Sequence, residues 1–371
     1  MQPDYRVNDP DALLSPSLLI FRDIVVHNLH EMIRLARGAE RLRPHVKTHK
    51  MPRLVALCEQ LGIHKHKCAT IAEAEMTAAA GGQDVLLAYP LVGPNIRRFV
   101  RLATAYPETT FRVLVDEPLP ARALSAALAE TELSVPVLID LEVGMGRTGT
   151  APDDAALALC ELVDGLPHLE FEGISAYDGQ IHDSDLAQRR RAAETGIAQT
   201  LAFRERLLAK GLNVHRLVLG GTPTFPIHAE LDVPGVECSP GTCTIQDVGY
   251  ANRHPDLPFI PGAALLTRVI SRPRPGRLCL DLGHKAVAAD PPAGSRLTIP
   301  ELPEAHIGGQ SEEHLVVDTP RASEFPPGTA LLAFPSHICP TCALHRRVYV
   351  MEHGDLVDEW EVAARDRVLT V

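Results

Sequence analysis

Three stretches of this 371-residue chain hold side chains whose types and spacing could do chemistry. The first is Pro44-His45-Val46-Lys47-Thr48-His49-Lys50, where Lys47 stands directly after a short apolar run. A lysine at the end of a buried strand is costly unless it is paired or used. Taken alone, Lys47 reads either as a solvated rim residue or as a working amine. The second stretch is a pair of loops, Leu219-Gly220-Gly221-Thr222-Pro223-Thr224 and Ser239-Pro240-Gly241-Thr242-Cys243-Thr244. Glycine lets backbone N–H groups approach an anion closely, and threonine hydroxyls add donors. The third is His337-Ile338-Cys339-Pro340-Thr341-Cys342-Ala343-Leu344-His345, with four possible soft-metal ligands. On an extended segment His337 and Cys339 face the same side, as two ligands of one ion must. Three readings are open here. They are a closed zinc knuckle using all four ligands, an open catalytic site with two of them, and a buried cysteine pair with no metal.

The elements that must position these residues follow from periodicity. From about residue 17 to 250, short apolar runs alternate with longer amphipathic stretches. Leu18–Phe21 is followed by a helical pattern at 26–40 and then by Pro44–Lys47. Further strand-like runs are Asp84–Ala88, Phe111–Val115, Val135–Ile139, Phe171–Ile174, Leu217–Leu219 and Val236–Cys238, with a long helical pattern at 185–210. Strands that are apolar on consecutive positions and separated by helices indicate a parallel sheet buried on both faces. The expectation is an α/β fold, a (β/α)8 barrel over 17–254, with a doubly wound open sheet as the alternative. The two Gly-Thr loops then follow late barrel strands, the usual phosphate site of such barrels. After about residue 255 proline and glycine crowd in and the runs turn short and alternating, as at Ala264–Ser271, Arg347–Glu352 and Glu359–Ala363. This predicts an antiparallel β domain over 255–371, with residues 1–16 packing on it.

Composition bounds the partners. The net charge of −11 argues against a nucleic-acid or anionic-membrane partner, which needs a basic patch. The only lysine-rich stretch, Lys47 to Lys67, is short and broken by histidine and apolar residues. The first twenty residues lack a basic region followed by a long apolar run, and no segment is apolar for long enough to span a membrane. Eight cysteines in a chain of this length resemble a cytosolic set rather than a disulfide framework, so the expected location is cytoplasmic. Cys58, Cys160 and Cys279 sit in apolar runs and read as core. Gly144-Met145-Gly146-Arg147-Thr148-Gly149 lacks the context of a dinucleotide-binding turn.

The lysine segment, together with Ala69-Thr70-Ile71-Ala72-Glu73-Ala74-Glu75, resembles the fold-type III pyridoxal-phosphate enzymes. Within them it is similar to the group containing D-serine dehydratase and D-threonine aldolase. The resemblance covers nearly the whole chain. It implies a Schiff base at Lys47 rather than Lys50, which is left as a solvated charge. It also implies contact of Arg147 with the phenolic oxygen, of Tyr177 with the cofactor ring, and of Gly221, Thr222, Gly241 and Thr242 with the phosphate. His337 and Cys339 match metal ligands of the D-serine dehydratase-like members, while Cys342 and His345 fall outside that pattern. The open metal site is thereby favoured. Glu312-Glu313-His314 resembles an element near that metal, or is a solvated acidic turn.

Aldolases of the group typically carry a carboxylate at the position of Cys339, suiting a harder ion, whereas a thiolate suits zinc. The resemblance therefore implies a pyridoxal-phosphate- and zinc-dependent dehydratase. Its small-molecule substrate would be a β-hydroxy D-amino acid, such as D-serine or D-threo-3-hydroxyaspartate, converted to a 2-oxo acid and ammonia. The alternatives are a metal-dependent D-threonine or D-3-hydroxyaspartate aldolase and a non-catalytic pyridoxal-phosphate carrier. The long β domain with its ligand pair counts against the carrier. Active sites of the family form between two subunits, which implies a homodimer.

Overall fold

In the computed structural model, which describes residues 1–371, the alternating pattern resolves into two sheets. After a first strand β1 (Ser17–Phe21) come seven strands of a parallel sheet, hydrogen-bonded in chain order. They are β2 (Lys65–Cys68), β3 (Asp84–Leu87), β4 (Thr110–Val115), β5 (Val135–Leu141), β6 (Leu169–Ala176), β7 (Arg216–Leu219) and β8 (Val236–Cys238). Residues 42–45 take the eighth place. Arg43 N–H donates to Cys238 O (2.9 Å), His45 N–H to Pro240 O (2.8 Å), and Lys67 N–H to Pro44 O (2.8 Å). Parallel bridges Leu42–Cys238 and His45–Lys67 complete the closure, so the expected (β/α)8 barrel is present. The strand that closes it is the one that leads into Lys47.

Local signals in the sequence start the helices. Thr70 caps the helix Ile71–Ala79: its hydroxyl accepts from Glu73 N–H (3.0 Å), and the Glu73 carboxylate accepts from Ala69 N–H (2.6 Å). Thr70 thereby satisfies one of the helix's orphan donors, while Glu73 reaches back to the residue before the cap. Asp153 and Asp185 cap Asp154–Gly165 and Leu186–Ala209 in the same spirit. Inside the barrel, Leu86 of β3, Leu114 of β4, Leu138 of β5 and Val218 of β7 pack together. Elsewhere in it a charge network replaces apolar packing. The fully buried Arg43 guanidinium pairs with Asp84 (2.6 Å) and Glu237 (2.6 Å), and Arg112 with Glu172 (2.5 Å) and Asp84 (2.7 Å).

The second sheet is built from β1 with β9 (Ala263–Arg274), β10 (Arg277–Leu280), β11 (Leu297–Thr298), β12 (His306–Gln310), β13 (Leu315–Asp318), β14 (Ala330–Pro335), β15 (Arg347–Glu352) and β16 (Asp355–Glu361). Its order is β12-β13-β10-β9-β1-β15-β16, with β14 pairing β9 and β11. Here β1 corrects the sequence reading. Expected to open the barrel, it pairs antiparallel with β9 and parallel with β15. Its run of apolar residues is that of any strand covered on both faces, and such a run does not say which sheet it joins. Leu19, Phe21, Ile24, Leu266 and Phe334 form the core here. Tyr5 packs edge-on against Phe21 (5.1 Å between centroids) and Phe334 (4.7 Å).

By contacts the chain divides into one unit of 1–31, 48–51 and 242–365 and another of 32–47, 52–241 and 366–371. Residues 17–31 and 242–254, assigned to the barrel from the sequence, thus belong with the β sheet. Residues 366–371 move the other way, with Arg98 donating to the carbonyls of Arg367 (3.0 Å) and Val371 (3.0 Å). No helix is long and apolar enough to cross a membrane.

Candidate active site

Lys47 lies in a single 3-10 turn, Val46–Thr48, directly after the strand segment 42–45. Its ammonium is 5.7 Å from the centroid of the Tyr177 ring, and Tyr177 follows the last residue of β6. The Arg147 guanidinium faces the same ring at 5.1 Å. Lys47 and Arg147 therefore meet around the ring of Tyr177. They line a cavity together with Asp140, Thr148 and Ser175.

The loop that presents Arg147 is shaped by its glycines. Gly144, Gly146 and Gly149 all have positive φ. The Glu142 carboxylate gathers the N–H groups of Gly144 (2.7 Å) and Gly146 (2.8 Å), folding the loop over. A Cβ at Gly149 would sit 2.8 Å from the backbone of Leu141 and Glu142, so only glycine fits the return of the loop. Thr148 then donates to Asp140 (2.9 Å) at the end of β5.

Two residues of this cavity escaped the sequence reading. Lys67, on β2, is buried with its ammonium 5.6 Å from the Tyr177 centroid. Burial, then the charge of Lys47, push its pKa down to about 7. Asp140 is the carboxylate among these cations, and burial raises its pKa to about 6. Three basic side chains and one weakened acid leave a surplus of positive charge, which suits an anionic occupant.

The two Gly-Thr loops leave β7 and β8, the seventh and eighth places of the barrel when 42–45 is counted first. Gly241 N–H donates to the Thr222 hydroxyl (3.2 Å), tying the loops together. A Cβ on Gly221 would come within 3.1 Å of the Tyr177 ring, so the glycine sets how closely this backbone approaches. Both Thr222 and Thr242 are buried. A further network, also missed from sequence, holds the loops after β6 and β7. Asp178 accepts from Thr224 (2.8 Å) and bonds His228 Nε2 (2.7 Å).

His337 and Cys339 do not lie on an extended segment. His337 caps a short helix, Ile338–Leu344, and Cys339 sits in its first turn. The two side chains nevertheless converge. Hydrogen bonding to Cys339, and then to Asp290, raises the His337 pKa to about 9. His337 Nδ1 lies 2.5 Å from the Asp290 carboxylate, which leaves Nε2 as the ring nitrogen available to a metal. The Cys339 sulfur is 3.3 Å from the Thr48 hydroxyl and 3.5 Å from the Thr242 hydroxyl. Thr48 is the residue after Lys47, and Thr242 the residue after Gly241. Asp247 anchors the turn by accepting from Ile338 N–H (3.0 Å) and Tyr250 N–H (2.8 Å).

Cys342 and His345 take no part in this pair. Cys342 is fully buried, which pushes its thiol up, and His345 Nε2 bonds the Ala286 carbonyl (2.8 Å). Glu312 and Glu313 are exposed and meet Lys285 at 2.9 Å and 3.8 Å, as in a solvated acidic turn. Lys50 is half-buried, at φ 57°, with its backbone carbonyl accepting from Ala364 N–H (3.3 Å).

Residues 20–243 match the family model of the alanine racemase N-terminal domain, and residues 262–351 match that of a serine dehydratase domain. The chain belongs to the fold-type III pyridoxal-phosphate family, in the branch that joins these two domains. The D-threonine aldolase of Arthrobacter sp is 30% identical over 373 residues, spanning 98% of this chain and 96% of that one. The D-threo-3-hydroxyaspartate dehydratase of Delftia sp. strain HT23 is 26% identical, spanning 95% and 98%. Among solved structures, the D-threonine aldolase of Filomicrobium marinum superposes with a TM-score of 0.87 at 28% identity, covering 96% of each chain. This family member is a pyridoxal-phosphate-dependent lyase acting on amino acids. The residues on hand fit the cofactor: a cationic cavity, a lysine and an arginine around one tyrosine ring, and two tied Gly-Thr loops. His337 and Cys339 fit zinc by donor chemistry, one imidazole and one thiol side by side.

Proposed function

We propose that the chain is a zinc-assisted dehydratase of a β-hydroxy D-amino acid, releasing a 2-oxo acid and ammonia. The observation that carries this reading is the Cys339 thiol beside His337, with Asp290 on the far nitrogen of the imidazole. A thiolate and an imidazole select zinc over manganese or magnesium. The relative from Delftia lends support. Solved forms of that dehydratase include one with a histidine replaced and one with a cysteine replaced, the latter described as metal-free, and the two positions are two residues apart. His337 and Cys339 are spaced alike.

Pyridoxal phosphate supplies an electron sink at the substrate's α-carbon, and zinc supplies a Lewis acid for the β-hydroxyl. Lys47 would hold the cofactor through its Nζ, and the same atom, as a neutral amine, would take the α-proton. Arg147 would hold the phenolic oxygen, and Tyr177 would contact the ring. Gly221, Thr222, Gly241 and Thr242 would hold the phosphate through N–H and hydroxyl donors.

The aldolase reading is favoured by the Arthrobacter relative, the more similar in identity of the two curated proteins compared above. One assay separates the two. Purified enzyme is given D-serine, D-threonine and D-threo-3-hydroxyaspartate, with zinc and after chelation, and products are quantified. Keto acid with ammonia, abolished by chelation and restored by zinc, is expected. Glycine with an aldehyde would establish the aldolase instead.

A further inference from the structure

We propose that His228 is a positioning residue for the cofactor's phosphate: through Asp178 and Thr224 it fixes the Gly220-Gly221 turn that carries Thr222. The proposal rests on the reading of the Gly-Thr loop after β7 as part of the phosphate site. The bonds run in one chain through buried groups. His228 Nε2 meets one oxygen of the Asp178 carboxylate (2.7 Å), and the Thr224 hydroxyl donates to the other (2.8 Å). A carboxylate only accepts, so the imidazole donates from Nε2. The Thr224 oxygen, its own proton given to Asp178, accepts from Gly221 N–H (3.3 Å). Asp178, Thr224 and His228 are all buried, where the local dielectric is low and each such bond counts for more.

A glycine pair has the greatest backbone freedom to lose, so a turn built on one needs holding from outside. Gly220 takes φ 73°, and a Cβ there would overlap the His228 ring. At the next residue, a Cβ on Gly221 would come within 3.1 Å of the Tyr177 ring. The turn thus lies against the imidazole at one glycine and the phenol ring at the other. Tyr177 and Asp178 are consecutive, so one segment places both the ring and the carboxylate. His228 has firm footing of its own in the short helix Phe225–Ala229. There Ile227 packs with Ile181, Ala193 and Ile197, and Arg41 donates to the carbonyls of Ala229 (3.0 Å) and Leu231 (2.9 Å). His228 Nδ1 is buried with no protein partner. A side chain placed for packing alone would avoid that cost, so the polar ring is kept for what Nε2 does.

The test compares two ligands that differ only in the phosphate. The full-length chain, freed of cofactor and checked for folding by circular dichroism, is titrated with pyridoxal 5′-phosphate and with pyridoxal. His228→Phe keeps a flat ring and loses the donor, whereas Thr224→Val keeps the shape and loses the hydroxyl. Each should weaken pyridoxal phosphate about tenfold, as for one hydrogen bond to a charged group, and leave pyridoxal within about twofold. His228→Gln, which keeps an N–H donor, should recover most of the loss. Unchanged affinity for pyridoxal phosphate in a folded variant, or an equal loss for both ligands, would overturn the positioning role. Should one variant not fold, the other carries the comparison. Phosphorus NMR of the bound cofactor adds a second readout, in which the resonance should move in either variant and an unmoved one would count against the role. The unsubstituted chain tests the underlying reading by itself. Equal affinity for the two ligands there would overturn the phosphate loop, and the role of His228 with it.

Discussion

In the proposed zinc site Cys339 would offer sulfur where a carboxylate would offer oxygen, and a soft donor favours zinc over manganese or magnesium. Cys339→Asp should lose zinc affinity and turn toward manganese, measured by metal analysis after dialysis against each ion. Retention of zinc with unchanged affinity would argue against Cys339 as a ligand. Asp290 acts one bond further out, on Nδ1 of His337. Partners of this kind orient the imidazole, and their loss costs about 10- to 100-fold in metal affinity. Asp290→Asn should show that loss in competition with a chromophoric chelator. At this scale the residues that the family resemblance singles out come together in two groups, Lys47 and Arg147 around the Tyr177 ring and His337 beside Cys339. Lys67 and Asp140 were not legible. In Lys65-His66-Lys67-Cys68 the charged residues alternate as they would on a solvated strand face, and only barrel closure shows Lys67 buried.

The barrel strands carry a different kind of dependence. Arg43 is wholly buried and satisfies both Asp84 and Glu237, residues far from it and from each other along the chain. Removing one partner of such a network leaves buried charge uncompensated, at a cost of about 3–5 kcal/mol. Arg43→Met should lose stability of that size in urea unfolding. Burial alone would raise the pKa of Glu237, but Arg43 and Lys65 outweigh it and hold the carboxyl down at about 2. A carboxylate depressed in the folded state stabilises above its ordinary value and loses that contribution as pH falls toward the folded one. Acid unfolding of the parent should therefore draw on Glu237 between about pH 4.5 and 2, and Arg43→Met should unfold at higher pH. An unchanged acid midpoint in circular dichroism would count against this role for the pair. The strand runs themselves were plain in sequence, since apolar residues on consecutive positions announce a covered strand. The partners of β1 were not, because its four apolar residues suit either sheet.

For the whole molecule, the family resemblance implies a homodimer, and sedimentation equilibrium should return twice the chain mass at micromolar concentration. A stable monomer with full activity would remove the need for a second subunit at the site. The net charge of −11 also predicts no retention on DNA or anionic vesicles at physiological salt, testable by co-sedimentation. By itself the sequence determined the alternation that makes a barrel, the shift to an alternating β pattern after residue 255, and the loops whose glycines and threonines suit an anion. Tertiary structure alone decided that β1 joins the second sheet, that 42–45 closes the barrel, and that Lys47, Lys67 and Arg147 surround one tyrosine. The reason is physical. Periodicity along a chain records how much of each residue is covered, whereas the identity of the covering partner depends on how distant strands close upon one another.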